Sequence, residues 1–314
     1  MSYSAKVKAE IVQDLAMSQP EFMALLSAVM KVCGTLTLLP GKGIGFRIST
    51  ENTGTARFLL KELREQVDEA VTIMVSQSST LKKRNLYLIA FDDVPNLKKL
   101  LFETGILSSE GDHLVIDESI PKEWVKTDLL RRAYLKGAFL GSGSISNPEK
   151  QYHMEFVTHS ENYGNELIKL LSSYKLTPKM IKRKGSNIVY LKEGDQIVDL
   201  LSIIGAHQAL LEIENIRILK GMRNDINRLV NCETANLSKT VNASVRQMEA
   251  IRRIQRTIGL NRLPENVRQV AELRVNNPDA TLKELGSMME PPVGKSGINH
   301  RLRRLEKIAE EIDE

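Results

Sequence analysis

The spacing of apolar residues divides the first two thirds of the chain into alternating strand-like and helical stretches. Short runs rich in β-branched or aromatic residues, such as GFRIS (45–49) and EFVTH (155–159), predict strands. Stretches such as ARFLLKEL (56–63), with apolar residues three and four apart, predict amphipathic helices. Antiparallel hairpins beside helices indicate an α+β fold.

This pattern occurs twice, at an offset of about 110 residues. TENTG (50–54) recurs as SENYG (160–164), each time between a strand-like run and a helical one. Upstream, each copy has a helix of small and apolar residues that stops at a glycine, Gly34 or Gly143. Each copy then predicts helix, hairpin, helix, hairpin, helix, over about 20–105 and 128–211. Two such copies can bury their apolar faces against each other.

The two glycine-ended helices share a stripe of small residues at helical spacing. Such a stripe predicts that the two helices pack closely together. The terminal glycines predict a left-handed exit from each helix into the next strand. The stripe residues are Ala24, Ser27 and Ala28 in the first helix and Ala133, Gly137, Ala138 and Gly141 in the second.

The chain after Glu212 is helical in pattern, with apolar residues at 213, 216, 219, 222, 226, 229 and 230. The following run, NCETANLSKT (231–240), is rich in residues that cap helices. It predicts a break near 231–238, followed by a second helix that closes at Gly259.

Residues 263–305 predict three short helices around a small core. Leu263-Pro264-Glu265 opens the first, and Thr281 with Glu284 forms a capping box for the second. A tight connection, EPPVGKSG, then leads into the third. This arrangement predicts a helix-turn-helix, whose last helix enters the DNA major groove. The predicted buried residues are Val267, Val270, Ala271, Leu273, Leu282, Leu285, Met288, Ile298, Leu302 and Leu305.

The polar face of the third helix carries the candidate DNA-binding residues. Asn and Arg side chains bond adenine and guanine edges bidentately. An ordinary solvated helix is the alternative interpretation. We expect the histidine on this face to contact phosphate or base, because it has no partner metal ligand nearby in sequence. The face comprises Lys295, Ser296, Asn299, His300, Arg303 and Arg304.

Positive charge is local. The chain has 44 Lys and Arg against 39 Asp and Glu, a net charge of +5. Residues 167–192 contain seven basic residues and no acid, with Lys182, Arg183 and Lys184 at the predicted turn. We expect this hairpin to contact phosphates, although solvated turn residues that protect an edge strand have the same composition. For the equivalent turn at 82–84 (Lys82, Lys83, Arg84) we favour the solvated interpretation.

Several classes of protein are excluded by what the sequence lacks. No stretch approaches ~18 apolar residues without a charge, and the first residues lack the apolar core of a signal peptide. Cys33 and Cys232 match no metal or redox spacing, so we expect a reduced, cytoplasmic location and no membrane contact. HExxH, CxxC and GxSxG motifs do not occur. We therefore expect a binding protein that is not an enzyme and has no cofactor or metal.

The two glycine-ended helices resemble the LAGLIDADG motif of homing endonucleases. In that family an acid precedes the last glycine of each copy, and the two acids bind divalent metal. Cys33 and Ser142 stand at these positions here, and no acid occurs within 22–47 or 129–148. Thiol and hydroxyl groups are poor ligands for Mg²⁺. These degenerate metal positions imply a pseudo-symmetric nuclease-like scaffold without its chemistry.

The C-terminal module resembles region 4 of sigma factors in its LPE opening and RLRR third helix. Taken together, the degenerate duplicated domain, the run NRLVNCETANLSKT, the LPENVRQ start and the helix-turn-helix resemble the WhiA family over essentially the whole chain. The resemblance implies three parts: a LAGLIDADG-like domain at 1–211, a helical linker at 212–235 and an all-α helix-turn-helix domain at 236–314.

The same resemblance implies a function. It indicates a sequence-specific transcriptional regulator that binds double-stranded DNA and takes part in cell division, chromosome segregation and sporulation. Other transcription or cell-division proteins are expected as partners, and the nucleoid as the location. Two alternatives stay open. One is a metal-dependent LAGLIDADG endonuclease that uses acids from elsewhere, such as Asp128 or Glu149. The other is a 1–211 domain that binds protein and never touches DNA.

Overall fold

The computed structural model describes residues 2–13, 15–39, 43–77, 85–92, 97–110 and 113–312. The chain divides into two compact units, Met1–Leu219 and Lys220–Glu314. Each unit has a hydrophobic core of its own.

The first repeat follows a short leading helix, α1. Its strands pair antiparallel in the order β1-β2-β4-β3. The bounds are α1 Tyr3–Val12, α2 Gln19–Cys33, β1 Gly34–Leu39, β2 Gly43–Thr50, α3 Thr53–Gln66, β3 Thr72–Gln77, β4 Asn85–Ala90 and α4 Leu97–Glu103.

The second repeat has the same element order and the equivalent sheet, β7-β8-β10-β9, which confirms the predicted duplication and the α+β class. A small hairpin and the 3₁₀ turn Lys122–Val125 join the repeats. The bounds are β5 Leu107–Glu110, β6 His113–Ile116, α5 Asp128–Ser142, β7 Gly143–Ile145, β8 Met154–Thr158, α6 Glu161–Ser172, β9 Lys179–Arg183, β10 Ser186–Leu191 and α7 Gly194–Ile204.

Helices α2 and α5 pack against each other at the centre of the first unit, as the stripe of small residues predicts. A Cβ at Gly137 would lie 2.2 Å from the carbonyl oxygen of Leu25, and one at Gly141 would lie 2.3 Å from Cγ2 of Val32. Any side chain at these glycines would therefore push the two helix backbones apart.

The glycines that follow the two helices do not have the predicted left-handed conformation. Gly34 has φ −87° and Gly143 has φ −69°, and both are extended. Glycine is needed here because of crowding: a Cβ would lie 2.2 Å from the ring of Phe46 at Gly34 and 2.3 Å from the ring of Phe139 at Gly143. The strand begins directly, without a reversal of the backbone.

Helix α1 closes the first unit by bonding to a segment about 200 residues later. The carboxylate of Glu10 accepts hydrogen bonds from the backbone N–H groups of Gln208 and Ala209, at 2.6 and 3.1 Å. These groups open helix α8 and have no carbonyl partner within it. Tyr3 donates to the carbonyl of Ala209 at 3.3 Å, and Lys6 pairs with Glu212 at 2.6 Å.

Helix α8 runs without interruption over His207–Thr257. The break predicted near 231–238 is wrong. The Asn, Ser and Thr residues of that run lie inside the helix, where their capping preference is overridden. Thr240, for example, bonds the carbonyl of Asn236 one turn back, at 3.0 Å.

The second unit is the predicted three-helix arrangement, packed on the last turns of α8. Its helices are α9 Glu265–Asn276, α10 Leu282–Ser287 and α11 Lys295–Glu311, after a 3₁₀ turn at Leu260–Arg262. The capping box at Thr281 and Glu284 is confirmed, as are Ile298, Leu302 and Leu305 in the core.

Three core assignments of the second unit need correction. Leu282, at the start of α10, is only partly buried against the core. Met288 is exposed and Met289 is buried instead, because α10 ends at Ser287 and the helical phase stops there. Arg274 takes a buried place beside the partly buried Leu273, and its guanidinium donates to the carbonyls of Pro278 and Ala280. It thereby holds the connection between α9 and α10.

Candidate nucleic-acid interface

The polar face of α11 lies where the sequence predicts it. Lys295, Ser296, His300, Arg303 and Arg304 are exposed, opposite the buried side chains of the same helix; Asn299, at the edge of this face, is partly buried.

The basic side chains on this face of α11 do not take part in ion pairs within the described part of the chain. Within the part of the chain that the structure describes, Lys295, Arg303 and Arg304 form no ion pair, whereas Lys307 one turn later pairs with Glu311 at 3.7 Å. Their charges are available to a ligand.

The turn before α11 is held tightly. Val293 donates its backbone N–H to the carbonyl of Gly286 at 2.9 Å, and a Cβ at Gly286 would lie 2.1 Å from the Val293 oxygen. This close approach fixes α11 against α10, so its exposed face has a defined direction within the unit.

The second group of candidate DNA-binding residues lies on the hairpin β9–β10. Its members, Lys182, Arg183 and Lys184, are all exposed. Lys184 and Gly185 form its two-residue turn with φ 51° and 83°, the left-handed values that this kind of hairpin requires. Lys182 and Arg183 are successive strand residues and therefore point to opposite faces of the sheet. The three do not form one patch.

Arg183 differs from its two neighbours because it is already paired. Its Nη2 lies 3.3 Å from both carboxylate oxygens of Glu155, which also contacts Nε2 of His153 at 3.1 Å. The basic turn of the first repeat, 82–84, lies outside the described residues.

The side chains at the degenerate metal positions bond backbone carbonyls of their own helices. Cys33 and Ser142 are the last residues of α2 and α5. The Cys33 thiol bonds the carbonyl of Val29 at 3.1 Å, and the Ser142 hydroxyl bonds that of Ala138 at 3.4 Å. Burial raises the pKa of the Cys33 thiol to about 12, so it stays protonated at neutral pH. Neither group offers an anionic ligand.

A lysine from α1 occupies this place. Lys8 Nζ donates to the carbonyl of Leu140 at 3.0 Å, in the last turn of α5, and lies 5.8 Å from the centre of the Phe139 ring. Burial lowers the pKa of Lys8 to about 8, although Cys33 and Glu51 act in the opposite direction. Sequence reasoning missed Lys8, because no periodicity or motif in the first residues distinguishes it from Lys6.

The acids proposed for the alternative nuclease do not approach these helix ends as a group. Asp128 opens α5, and fourteen residues of helix, about 21 Å, separate it from Ser142. There it accepts hydrogen bonds from Arg132 and Tyr174, each at 2.7 Å. Glu149 lies in an exposed turn. Among the described residues, no three His, Cys, Asp or Glu side chains come close enough to hold a metal ion.

Comparison with known proteins places this architecture. Three family models match the chain: the WhiA N-terminal LAGLIDADG-like domain at residues 21–107, the WhiA LAGLIDADG-like domain at 131–223 and the WhiA C-terminal HTH domain at 226–309. A Clostridium botulinum protein named "Probable cell division protein WhiA" is 56% identical over 99% of both chains.

The chain belongs to the WhiA family. A Clostridium perfringens protein of the same name is also 56% identical, over 99% of this chain and 98% of its own. The crystal structure of full-length DUF199/WhiA from Thermatoga maritima matches with a TM-score of 0.60 and 26% identity, over 99% of both chains.

These matches confirm the family and the fold class predicted from the sequence. In the described part of the chain, no helix is both long enough and apolar enough to span a membrane.

Proposed function

We propose that this WhiA-family chain is a sequence-specific DNA-binding protein in which α11 contacts the bases. The observation that carries the proposal is the face of α11. Its exposed cations pair with no acid among the described residues, and the preceding turn holds the helix in place. The helix-turn-helix family model over the same residues supports it.

Selection of bound sequences from a random DNA pool, with the purified full chain, tests this proposal. Arg303→Ala and Asn299→Ala should each relax preference at one position of the selected site, since a bidentate base contact contributes about 1–3 kcal/mol of discrimination. Arg301→Ala is the matched control: Arg301 is two residues from Arg303 and lies well round the helix from it. Unchanged selectivity in the Arg303 and Asn299 variants would remove α11 as the base-contacting helix.

We further propose that the first unit is catalytically silent and serves as a DNA-contact platform. Protonated Cys33, back-bonded Ser142 and the ammonium of Lys8 stand where metal chemistry would need anions. Incubation of the full chain with supercoiled plasmid and Mg²⁺ or Mn²⁺ should leave the plasmid intact. Cleavage that a chelator abolishes would favour the endonuclease alternative.

The cellular role proposed here is transcriptional regulation connected with cell division, chromosome segregation and sporulation, at the nucleoid. The name of the relatives, "Probable cell division protein WhiA", supports the part of this role that concerns cell division, and the helix-turn-helix family model supports a role at DNA. A chromosome-wide map of bound sites should place the protein upstream of genes for these processes. A map in which the Arg303→Ala variant retains every site would argue that the first unit, or a partner protein, determines location.

A further inference from the structure

A polar cavity of about 680 Å³ opens beside the end of α5 in the first unit. Lys8 and Glu51 are the charged residues of its lining, and most of the remaining wall is formed by hydroxyl-bearing residues and glycines. A cavity of this volume has room for a small organic molecule. The proposed DNA contacts do not use it, and the Lys8 amine in its wall therefore has no assigned role.

The environment of the Lys8 amine differs from that of a solvated lysine. Its Nζ donates to the carbonyl of Leu140 at 3.0 Å and lies 5.8 Å from the centre of the Phe139 ring. Burial lowers the pKa of Lys8 to about 8, against the opposing effects of Cys33 at the end of α2 and Glu51 after β2. About a quarter of the Lys8 amine is then neutral at pH 7.5. A neutral, partly desolvated amine is a nucleophile.

Lys31 is an internal comparison, because burial lowers its pKa to about 8 as well, against Asp117 and Glu118. Its Nζ donates to the carbonyls of Gly105 and Asp117 at 2.6 and 2.8 Å. The cavity that it lines is smaller, about 210 Å³. The two amines therefore have the same acidity in different surroundings, and Lys8 has the larger space beside it for an electrophile.

The lining of the larger cavity favours one class of electrophile. The hydroxyls of Ser49 and Ser144 make long hydrogen bonds, each 3.4 Å, to the carbonyl of Cys33 and to the carboxylate of Glu155. Such weakly held hydroxyls can turn to donate to an oxygen that becomes negative during acyl transfer. The Glu51 carboxylate repels a phosphate leaving group, so a neutral thioester fits this cavity better than an acyl phosphate.

We propose that Lys8 is an acylation site that accepts the acyl group of a small thioester. Nζ attacks the thioester carbonyl carbon and the C–S bond breaks. The thiolate leaves with the electron pair and takes up the proton that the nitrogen loses, so the products are an amide and a thiol. Acylation removes the positive charge that faces the carbonyl end of α5. The proposal does not depend on DNA binding, and either can fail alone.

Incubation of the full chain with S-acetyl-N-acetylcysteamine at pH 7.5, followed by peptide mass spectrometry, measures the acetylation rate of each lysine. Lys8 should react at least ~tenfold faster than Lys6, because its lowered pKa supplies far more neutral amine than an ordinary lysine has. Lys6 is the matched control on the same helix, where it pairs with Glu212. A Lys8 rate equal to or below that of Lys6 overturns the proposal.

The rate of Lys31 in the same digest separates the cavity from the pKa. Lys31 should react more slowly than Lys8, because two carbonyls hold its amine and the space beside it is smaller. If Lys31 reacts as fast as Lys8, the larger cavity has no part in the reaction and the assigned site is wrong.

The pH dependence of the reaction gives a second readout. The ratio of the Lys8 rate to the Lys6 rate should fall between pH 8 and 10, because the Lys8 amine is already mostly neutral above its pKa of about 8. Hydrolysis of the thioester cancels in this ratio. A constant ratio across the range would mean that the Lys8 amine is solvated, and it would overturn the proposal.

Filling the cavity tests the route of entry. Ser4 lines the cavity and lies one helical turn before Lys8. Ser4→Leu should slow the acetylation of Lys8 at least ~fivefold, because the acyl carbon no longer reaches Nζ in a geometry for attack. Ser4→Ala, which leaves the space open, should keep the wild-type rate. Circular dichroism checks that both variants are folded. An unchanged Lys8 rate in the folded Ser4→Leu variant overturns the assigned site.

Discussion

At the residue scale, the amine of Lys8 lies near the ends of the two central helices of the first unit, α2 and α5. Lys8 brings a charged group to the last turn of α5, where its amine bonds the carbonyl of Leu140. The carbonyl end of a helix favours a cation. The side chains of Cys33 and Ser142 bond their own helices instead. The resemblance indicated the loss of the two acids, but no local sequence pattern places the Lys8 amine beside them.

The lowered pKa of Lys8 predicts a pH dependence of stability. The amine titrates near 10.5 in the unfolded chain and near 8 in the folded one. Between these values the unfolded chain binds the additional proton, so the free energy of unfolding rises with pH. The lowered pKa of Lys31 also makes the free energy of unfolding rise with pH, whereas the raised pKa of Cys33 makes it fall. A variant is therefore needed to isolate the contribution of Lys8.

Denaturant unfolding of wild type and Lys8→Met from pH 7 to 10.5 makes that measurement. The free energy of wild type relative to the variant should rise by about 1–3 kcal/mol across the window. Lys6→Met, on the same helix, controls for the loss of a lysine. A flat difference would mean that the Lys8 amine is solvated in solution.

The three basic residues of the β9–β10 hairpin should contribute unequally to DNA affinity. Lys182→Gln and Lys184→Gln should weaken binding to all sequences alike, each lowering the salt slope by about 0.9 if it removes one phosphate contact. Arg183→Gln should matter less, because Glu155 already neutralises Arg183. DNA titrations at several salt concentrations measure the affinity and the salt slope of each variant. If all three variants weaken DNA binding equally, or none weakens it, the proposed phosphate contacts of Lys182 and Lys184 are contradicted.

At the element scale, close packing of α2 and α5 depends on glycine. Gly137→Ala places a methyl group 2.2 Å from a backbone oxygen, and relief requires the helices to separate. We expect a loss of about 1–3 kcal/mol in the free energy of unfolding. The identical change at Gly221, in exposed helix with nothing within 4 Å, should instead stabilise by about 0.5–1 kcal/mol. Thermal denaturation compares the two, and a tolerated Gly137→Ala would contradict the packing.

The spacing of apolar residues predicted most helices and strands, because an element that buries one face must place its apolar residues at the period of that element. The helix-turn-helix, both hairpin pairs and the glycine-ended helices follow this rule. Prediction failed where two local preferences competed. Capping residues in 231–238 suggested a break that the helical ladder of α8 overrides. Glycine at 34 and 143 suggested a left-handed turn, whereas crowding by a neighbouring ring is what requires it.

At the scale of the whole molecule, the two units should unfold separately. Each has its own core, and cooperative unfolding follows the core. Calorimetry should therefore show two transitions. Gly137→Ala should lower one of them, and Gly286→Ala, which places a methyl group 2.1 Å from the Val293 oxygen, should lower the other. A single transition shifted by both substitutions would show that the units unfold together.

The candidate site was predictable where it lies on a regular element and not where distant segments meet. The face of α11 follows from helical phase alone. The pairing of Arg183 with Glu155 and the place of Lys8 depend on contacts across 28 and 132 residues of sequence, which no local pattern encodes.

The bonds between α1 and the start of α8 have a consequence for synthesis. Glu10 and Lys6 leave the ribosome early, yet their partners at 208–212 are made only after both repeats. These bonds can therefore form only after some two hundred further codons have been translated, although Lys8 of the same helix can bond the carbonyl of Leu140 earlier. A protease should therefore cleave this helix faster in a nascent chain stalled before codon 207 than in one released beyond codon 219.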